Sequence, residues 1–306
     1  MLDFINAPIN PDTPRLFNVI STFAGCGGSS LGYKWAGGKV LAAVEWDDNA
    51  VATYKLNHHG ASVLHRDIAT VTAEELLELT GLKQCELDIF DGSPPCQGFS
   101  TAGKRQIDDP RNSLFKEYVR LLRGLQPKVF VMENVSGMVK GHMKHVFAIA
   151  MRELKASGYQ VKCQLMNAMY FGVPQSRERV IFIGVRNDLG IEPSHPVAQS
   201  EPIGCVRLDE HPAVYSERRY GDTLETPGQP IGTVTKIGRK FWTKTLEFGH
   251  LSYSVNTSFP RSFQFVGTLN DRKARVGNTV PPLFMAAIAE HIYTHILAQL
   301  PERECV

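Results

Sequence analysis

The chain has 306 residues, 43% of them apolar, with 33 Lys and Arg against 31 Asp and Glu for a formal net charge of +2. That length and apolar content suit a globular protein with a full core, and exclude disorder; the near-neutral balance excludes a protein that binds nucleic acid by bulk charge alone. No apolar run reaches the roughly 18 residues of a membrane helix, the amino terminus lacks the basic-then-apolar order of a signal peptide, and six scattered cysteines include no Cys-x-x-Cys pair. The expected setting is therefore cytoplasmic, with no membrane, no disulfide framework and no metal.

From Leu16 to Gly184 short β-branched runs alternate with amphipathic stretches, which predicts βαβ units and a mostly parallel sheet. Strands are expected at Leu16–Ile20, Val40–Val44, Ser62–His65, Leu87–Phe90, Val129–Met132, Tyr159–Asn167 and Val180–Val185. Helices are expected at Ser29–Ala36, Asp47–Asn57, Ala73–Leu79, Ser113–Leu125 and His142–Ser157. After Asn187 the order breaks. Pro193, Pro196, Pro202, Pro212, Pro227 and Pro230, with short Thr/Val-rich pieces from Ile191 to about Arg261, predict a small irregular second domain. Helical spacing returns from Leu283 to Ile296. The resulting division is a first domain over 1–190, a small second domain over 191–262, and a return segment over 263–306 that packs back on the first.

Behind the first strand, Phe23-Ala24-Gly25-Cys26-Gly27-Gly28 forms a glycine turn at a helix start, a place for backbone N–H groups to face a ligand. A dinucleotide fingerprint would need glycine where Ser30 stands, so hydride transfer loses support. Glu45-Trp46 closes the second strand and Asp67-Ile68 the third. A carboxylate for two ribose hydroxyls, an indole for adenine and a carboxylate for an exocyclic amine favour S-adenosylmethionine over NAD. Aromatic residues at strand ends are often only packing, the lesser reading for Trp46 and one that Glu45 at the expected interval after the loop weakens further.

The run Gly92-Ser93-Pro94-Pro95-Cys96-Gln97-Gly98-Phe99-Ser100 places a cysteine behind two prolines at the end of a buried strand, which suits a stiffly presented nucleophile. Together with Asp109-Pro110-Arg111-Asn112-Ser113-Leu114-Phe115, Glu133-Asn134-Val135, Gln175-Ser176-Arg177-Glu178-Arg179 and Gly277-Asn278-Thr279-Val280-Pro281-Pro282, these blocks resemble, in order and across nearly the whole chain, the DNA (cytosine-5)-methyltransferases of bacteria and phages.

The resemblance implies a Rossmann-like methyltransferase fold with a small target-recognition domain, and methyl transfer to C5 of a flipped cytosine in double-stranded DNA. It makes Cys96 the nucleophile toward C6, Glu133 the partner of cytosine N3, and Arg177 and Arg179 the groups around O2. Phe23, Ala24, Gly25, Cys26, Gly27, Gly28, Glu45, Trp46, Asp67, Ile68, Pro95, Leu114, Asn278, Thr279 and Val280 would line the cofactor site. Gln97, Ser100, Lys104, Arg105 and Arg111, on the loop behind Cys96, would hold DNA while the base is flipped. A monomer is expected, and a cognate restriction endonuclease is a partner of the kind such enzymes have.

Two departures stand out. Ser21-Thr22 occupy the place where many members carry Asp-Leu, so a hydrogen bond near the cofactor is made differently. The stretch from Thr223 to Thr235 leads almost at once into Arg239-Lys240-Phe241, which leaves little room for a variable recognition segment. The alternatives are a tRNA cytosine-C5 methyltransferase, whose branch carries a Cys-Phe-Thr tripeptide absent here, and a catalytically silent DNA-binding homologue.

Overall fold

The computed structural model describes residues 15–95, 113–139, 144–200, 214–218, 221–225, 231–232, 241–243, 257–260 and 262–301. Seven strands form the central sheet: β1 (Phe17–Thr22), β2 (Gly38–Glu45), β3 (Ser62–His65), β4 (Ile89–Gly92), β5 (Val129–Val135), β6 (Tyr159–Asn167) and β8 (Glu178–Arg186). Their spatial order is β3-β2-β1-β4-β5-β8-β6. The first five are parallel, whereas β8 runs antiparallel to both β5 and β6. A mostly parallel sheet flanked by helices is what the alternating runs predict. The reversal follows from chain length: a parallel crossover needs a dozen residues or more, and only ten separate Asn167 from Glu178.

Neighbouring residues on each strand enter different cores. Ile20, Phe90, Phe130, Met132 and Phe182 pack on one face beneath α3 (Ala73–Thr80), α4 (Ser113–Leu125) and α5 (Lys144–Ala156). Val19, Ile89, Val129, Val131, Ile181 and Ile183 face the other way, toward Tyr33 of α1 (Gly28–Trp35) and Phe284, Ile288 and Ile292 of α7 (Pro282–His295). Strands apolar on both faces belong in the middle of a sheet that helices cover twice, and here the second cover includes the last long helix of the chain.

The remaining helices are α2 (Asp48–Asn57), capped by the Asp47 carboxylate accepting from the Ala50 amide, and α6 (Leu269–Asn278). The sequence reading missed α6. Few of its residues are apolar, but Thr268 and Asp271 form a capping box at its start, the one local signal that it begins there. In the proline-rich region, β9 (Val214–Arg218) pairs antiparallel with β10 (Gly221–Glu225) and β12 (Phe241–Thr243) in a separate three-stranded sheet. A two-residue strand, β11 (Ile231–Gly232), pairs parallel with β7 (Gln175–Ser176).

The return segment is sewn to α2 by polar side chains on one helical face. Asn57 donates to the Gln264 carbonyl and accepts from the Gln264 amide, Thr53 Oγ1 accepts from the Val266 amide, and Asn49 donates to the Val266 carbonyl. Spaced by four residues each, these three stack along the helix and act as the partner strand that residues 264–266 otherwise lack. Among the described residues, no helix is long and apolar enough to cross a membrane.

Candidate active site

In a doubly covered parallel sheet the ligand crevice lies beyond the carboxyl ends of the strands. The glycine turn follows β1 there, Glu45 is the last residue of β2, Pro94-Pro95 follow β4, and Glu133 lies near the carboxyl end of β5. Because β8 is reversed, its amino end reaches the same rim, with Arg179 opposite Val135 in register. The antiparallel strand thus delivers Arg179 to that rim.

The glycine turn admits no larger residues at its centre. Gly27 caps α1 with φ +92°, and a Cβ there would lie 2.1 Å from Nε2 of the buried His58. At Gly28 a Cβ would meet Thr279 Oγ1 at 2.0 Å and the Val280 carbonyl at 2.3 Å. Of the three residues predicted from the far end of the chain to share the cofactor site, Thr279 and Val280 are therefore brought against the turn, while Asn278 ends its helix exposed. A second tie fixes that approach: Arg275 forks onto Asp47, Nη1 to Oδ1 at 3.0 Å and Nη2 to Oδ2 at 3.1 Å.

Glu45 is held by three backbone amides. Oε2 accepts from Gly25 at 2.7 Å, and Oε1 accepts from Trp46 at 2.9 Å and Asp47 at 3.0 Å. An ionised carboxylate has about four acceptor positions, so capacity remains for a hydroxyl. Beside it Trp46 is 75% exposed, which removes the core-packing reading and leaves an open aromatic face. Asp67 is exposed and caps the turn Ile68–Thr70 by accepting from the Ala69 amide at 3.0 Å, while Ile68 is buried in the core. Cys26 is buried and its thiol is pushed up to about 11 by desolvation, so it packs as a neutral group. Leu114 is half-buried against the core, and Pro95 is exposed at the rim.

On the other side of the crevice, Glu133 Oε1 meets Arg179 Nε at 2.6 Å, both side chains nearly buried. The next residue, Asn134, donates to the Pro94 carbonyl at 3.0 Å. That bond joins the end of β5 to the segment two residues ahead of Cys96, a positioning role for Asn134 that its place in the Glu-Asn-Val block did not reveal. Cys96 itself, with Gln97, Ser100, Lys104, Arg105 and Arg111, lies outside the described residues.

Arg177 and Arg179 part company. Arg177 falls between β7 and β8, is 1% exposed, and donates through Nη2 to the carbonyls of Gly277 at 2.9 Å and Thr279 at 2.8 Å. Burial pulls its guanidinium down to about 9, which leaves it charged at neutral pH. The sequence expects both arginines around a bound base; the structure places Arg179 beside Glu133 and sets Nη2 of Arg177 against the carbonyls of Gly277 and Thr279. Among the described residues no cluster of three or more His, Cys, Asp or Glu side chains could hold a metal ion.

Comparison with known proteins decides what family this arrangement belongs to, because the model of the C-5 cytosine-specific DNA methylases matches residues 17–253. The chain is a member of that family. It is 33% identical to the Type II methyltransferase M1.HphI of Haemophilus parahaemolyticus, over 89% of this chain and 86% of that protein. It is 44% identical to the Type II methyltransferase M.DdeI of Desulfomicrobium norvegicum, over 73% of this chain but only 55% of that protein. The fold matches a prophage-encoded protein of E. coli described as a DNA modification methyltransferase, with a TM-score of 0.72, 22% identity, and coverage of 92% of this chain and 99% of that one.

Proposed function

We propose that the protein transfers a methyl group from S-adenosylmethionine to C5 of a cytosine flipped out of double-stranded DNA, through a covalent bond between Cys96 and C6. The observation that carries this reading is the Asn134–Pro94 hydrogen bond, which ties the Glu133–Arg179 pair to the root of the segment bearing Cys96.

Cytosine C5 is too weakly nucleophilic to be methylated unaided. Addition of the Cys96 thiolate to C6 pushes the ring electrons toward C5, while Glu133 holds the proton at N3 and Arg179 faces the charge developing near O2. When bound, S-adenosylmethionine supplies an electrophilic methyl group on a sulfonium. The C5 proton then leaves, the C6–S bond breaks and its electron pair returns to sulfur as the ring double bond re-forms. Glu45 would take ribose hydroxyls, Trp46 would stack on adenine, and Gly25 to Gly28 would admit the ligand against the backbone. Asp67 would accept from the exocyclic amine. An open approach at Gly25, where a Cβ would meet nothing within 4 Å, and an exposed indole beside a part-satisfied carboxylate support such a ligand.

Target reading falls to the small sheet of β9, β10 and β12, with the 97–111 segment contacting the DNA backbone; a nuclease of the same specificity is the matching partner. Expression in a host that lacks cytosine methylation, followed by base-resolution mapping, tests the activity. The expected result is 5-methylcytosine at one short sequence context, abolished by Cys96→Ser. Unmethylated DNA from cells containing folded, cofactor-binding protein would overturn the reading, as would retained turnover in the Ser variant.

A further inference from the structure

Asp91 is a charged residue for which the chemistry above has no use. It ends β4, is 2% exposed, and lies opposite Ser21 in the β1–β4 register. Its Oδ2 accepts from Ser21 Oγ at 2.7 Å and its Oδ1 from the Tyr33 hydroxyl at 3.1 Å, while its own carbonyl accepts from Thr22 Oγ1 at 3.0 Å. Ser21 and Thr22 precede the glycine turn and Tyr33 follows it in α1. One side chain therefore grips both flanks of the turn, and does so from the strand that leads into Pro94-Pro95.

Hydroxyls alone are modest compensation for a buried carboxylate, which ordinarily has a cation beside it. Among the described residues no ion pair includes Asp91. The titratable groups that act on it, or that it acts on, are Tyr33 from α1, Tyr54 from α2, Tyr118 from α4 and Glu133 from β5, none of which carries positive charge. Burial, reinforced by Glu133, pushes the Asp91 carboxyl up to about 7 despite its two hydroxyl donors. The carboxyl group thus lies at the root of the glycine turn with two hydroxyl donors on it and, among the described residues, no basic side chain paired with it.

We propose that Asp91 is the buried counter-charge of the cofactor site, a positioning residue that holds both flanks of the glycine turn and favours ligands bearing positive charge over their neutral counterparts. This inference rests on the reading of the site as one for S-adenosylmethionine. That ligand carries a sulfonium and an α-ammonium; S-adenosylhomocysteine keeps the ammonium alone, and 5′-methylthioadenosine has neither. Positive charge near Asp91 favours its ionised form, so binding expels a proton when the pH is near or below 7. Affinity for the charged ligands accordingly falls as pH drops below about 7.

The test is calorimetry of the full chain with each of the three ligands at pH 6, 7 and 8, in buffers of different ionisation enthalpy so that protons are counted. Wild type should release a proton on binding S-adenosylmethionine at pH 6 to 7 and little at pH 8. Asp91→Asn should lose that release, bind S-adenosylmethionine about tenfold or more weakly at pH 8, and bind 5′-methylthioadenosine as wild type does. Ser21→Asp with Asp91→Asn, which carries the carboxylate across to its register partner, should restore the preference for charged ligands. Equal loss of all three ligands in Asp91→Asn would reduce Asp91 to scaffolding, and wild-type affinity and proton release in that variant would overturn the proposal. Absence of proton release from wild type would overturn it without any variant. Failure of wild type to bind any of the three would instead sink the cofactor reading on which the proposal stands.

Discussion

Replacing Arg177 by Met separates a structural tie from a catalytic group. The Met stem can occupy the arginine's space, but the carbonyls of Gly277 and Thr279 lose their guanidinium donor in a buried setting. Hydrogen bonds to a charged group are worth about 1.5–3 kcal/mol each, so two amount to about 3–6 kcal/mol. Relief of the guanidinium's own desolvation offsets part of this, leaving a net loss of about 3 kcal/mol. For a chain of this size that corresponds to a melting point lower by roughly 5–10 °C. Cofactor affinity should fall too, because the two carbonyls belong to the segment that packs on Gly28. Thermal and urea unfolding measure the first effect, and ligand titration the second. Arg177→Lys, which keeps the charge, should lie between wild type and Met. An Arg177→Met protein that melts with wild type, binds cofactor normally and yet fails to methylate would refute the assignment and return Arg177 to the bound base.

Three further outcomes follow from the same geometry. Trp46→Ala should leave unfolding within about 0.5 kcal/mol of wild type, since so exposed a side chain supports little else, and should weaken S-adenosylmethionine binding by about 1 kcal/mol through lost stacking; equilibrium titration decides it, and unchanged affinity counts against adenine on this face. Glu133→Gln should cut methyl incorporation into duplex DNA by about 100-fold or more while cofactor binding persists; wild-type turnover would remove Glu133 from the chemistry. Gly28→Ala should destabilise by about 1–3 kcal/mol through overpacking against Thr279 and Val280, whereas Gly137→Ala, where a Cβ meets nothing within 4 Å, should match wild type in urea.

Legibility in the sequence followed how local the cause was. The central strands of the sheet could be read because their apolar runs are buried on both faces, and Glu45-Trp46 could be placed because a strand end fixes where the next two residues point. The arginine pair shows the opposite case. Two residues apart, Arg177 and Arg179 read as neighbours on one extended face, yet the pairing breaks at Arg177 and sends it toward a segment one hundred residues onward. Likewise nothing local distinguishes Asp91 from any carboxylate at a strand end until Ser21 and Tyr33 are seen on its two oxygens. The helix α6 escaped because its sequence is mostly polar and its burial rests on Ala274 and Val276. Reversal of β8 was hidden in a connection length and in no residue.

The clasp of Asn49, Thr53 and Asn57 on residues 264–266, with Arg275 on Asp47, means that the pocket's two walls are made some two hundred residues apart in time as well as in sequence. While the chain is being synthesised, the turn and its acidic partner emerge first and stand without their opposing wall until the segment reaching Val280 has left the ribosome. Closing so long a loop is slow. A half-made molecule therefore lacks the packing of Thr279 and Val280 on the glycine turn, which is completed as one late event when the segment reaching Val280 docks.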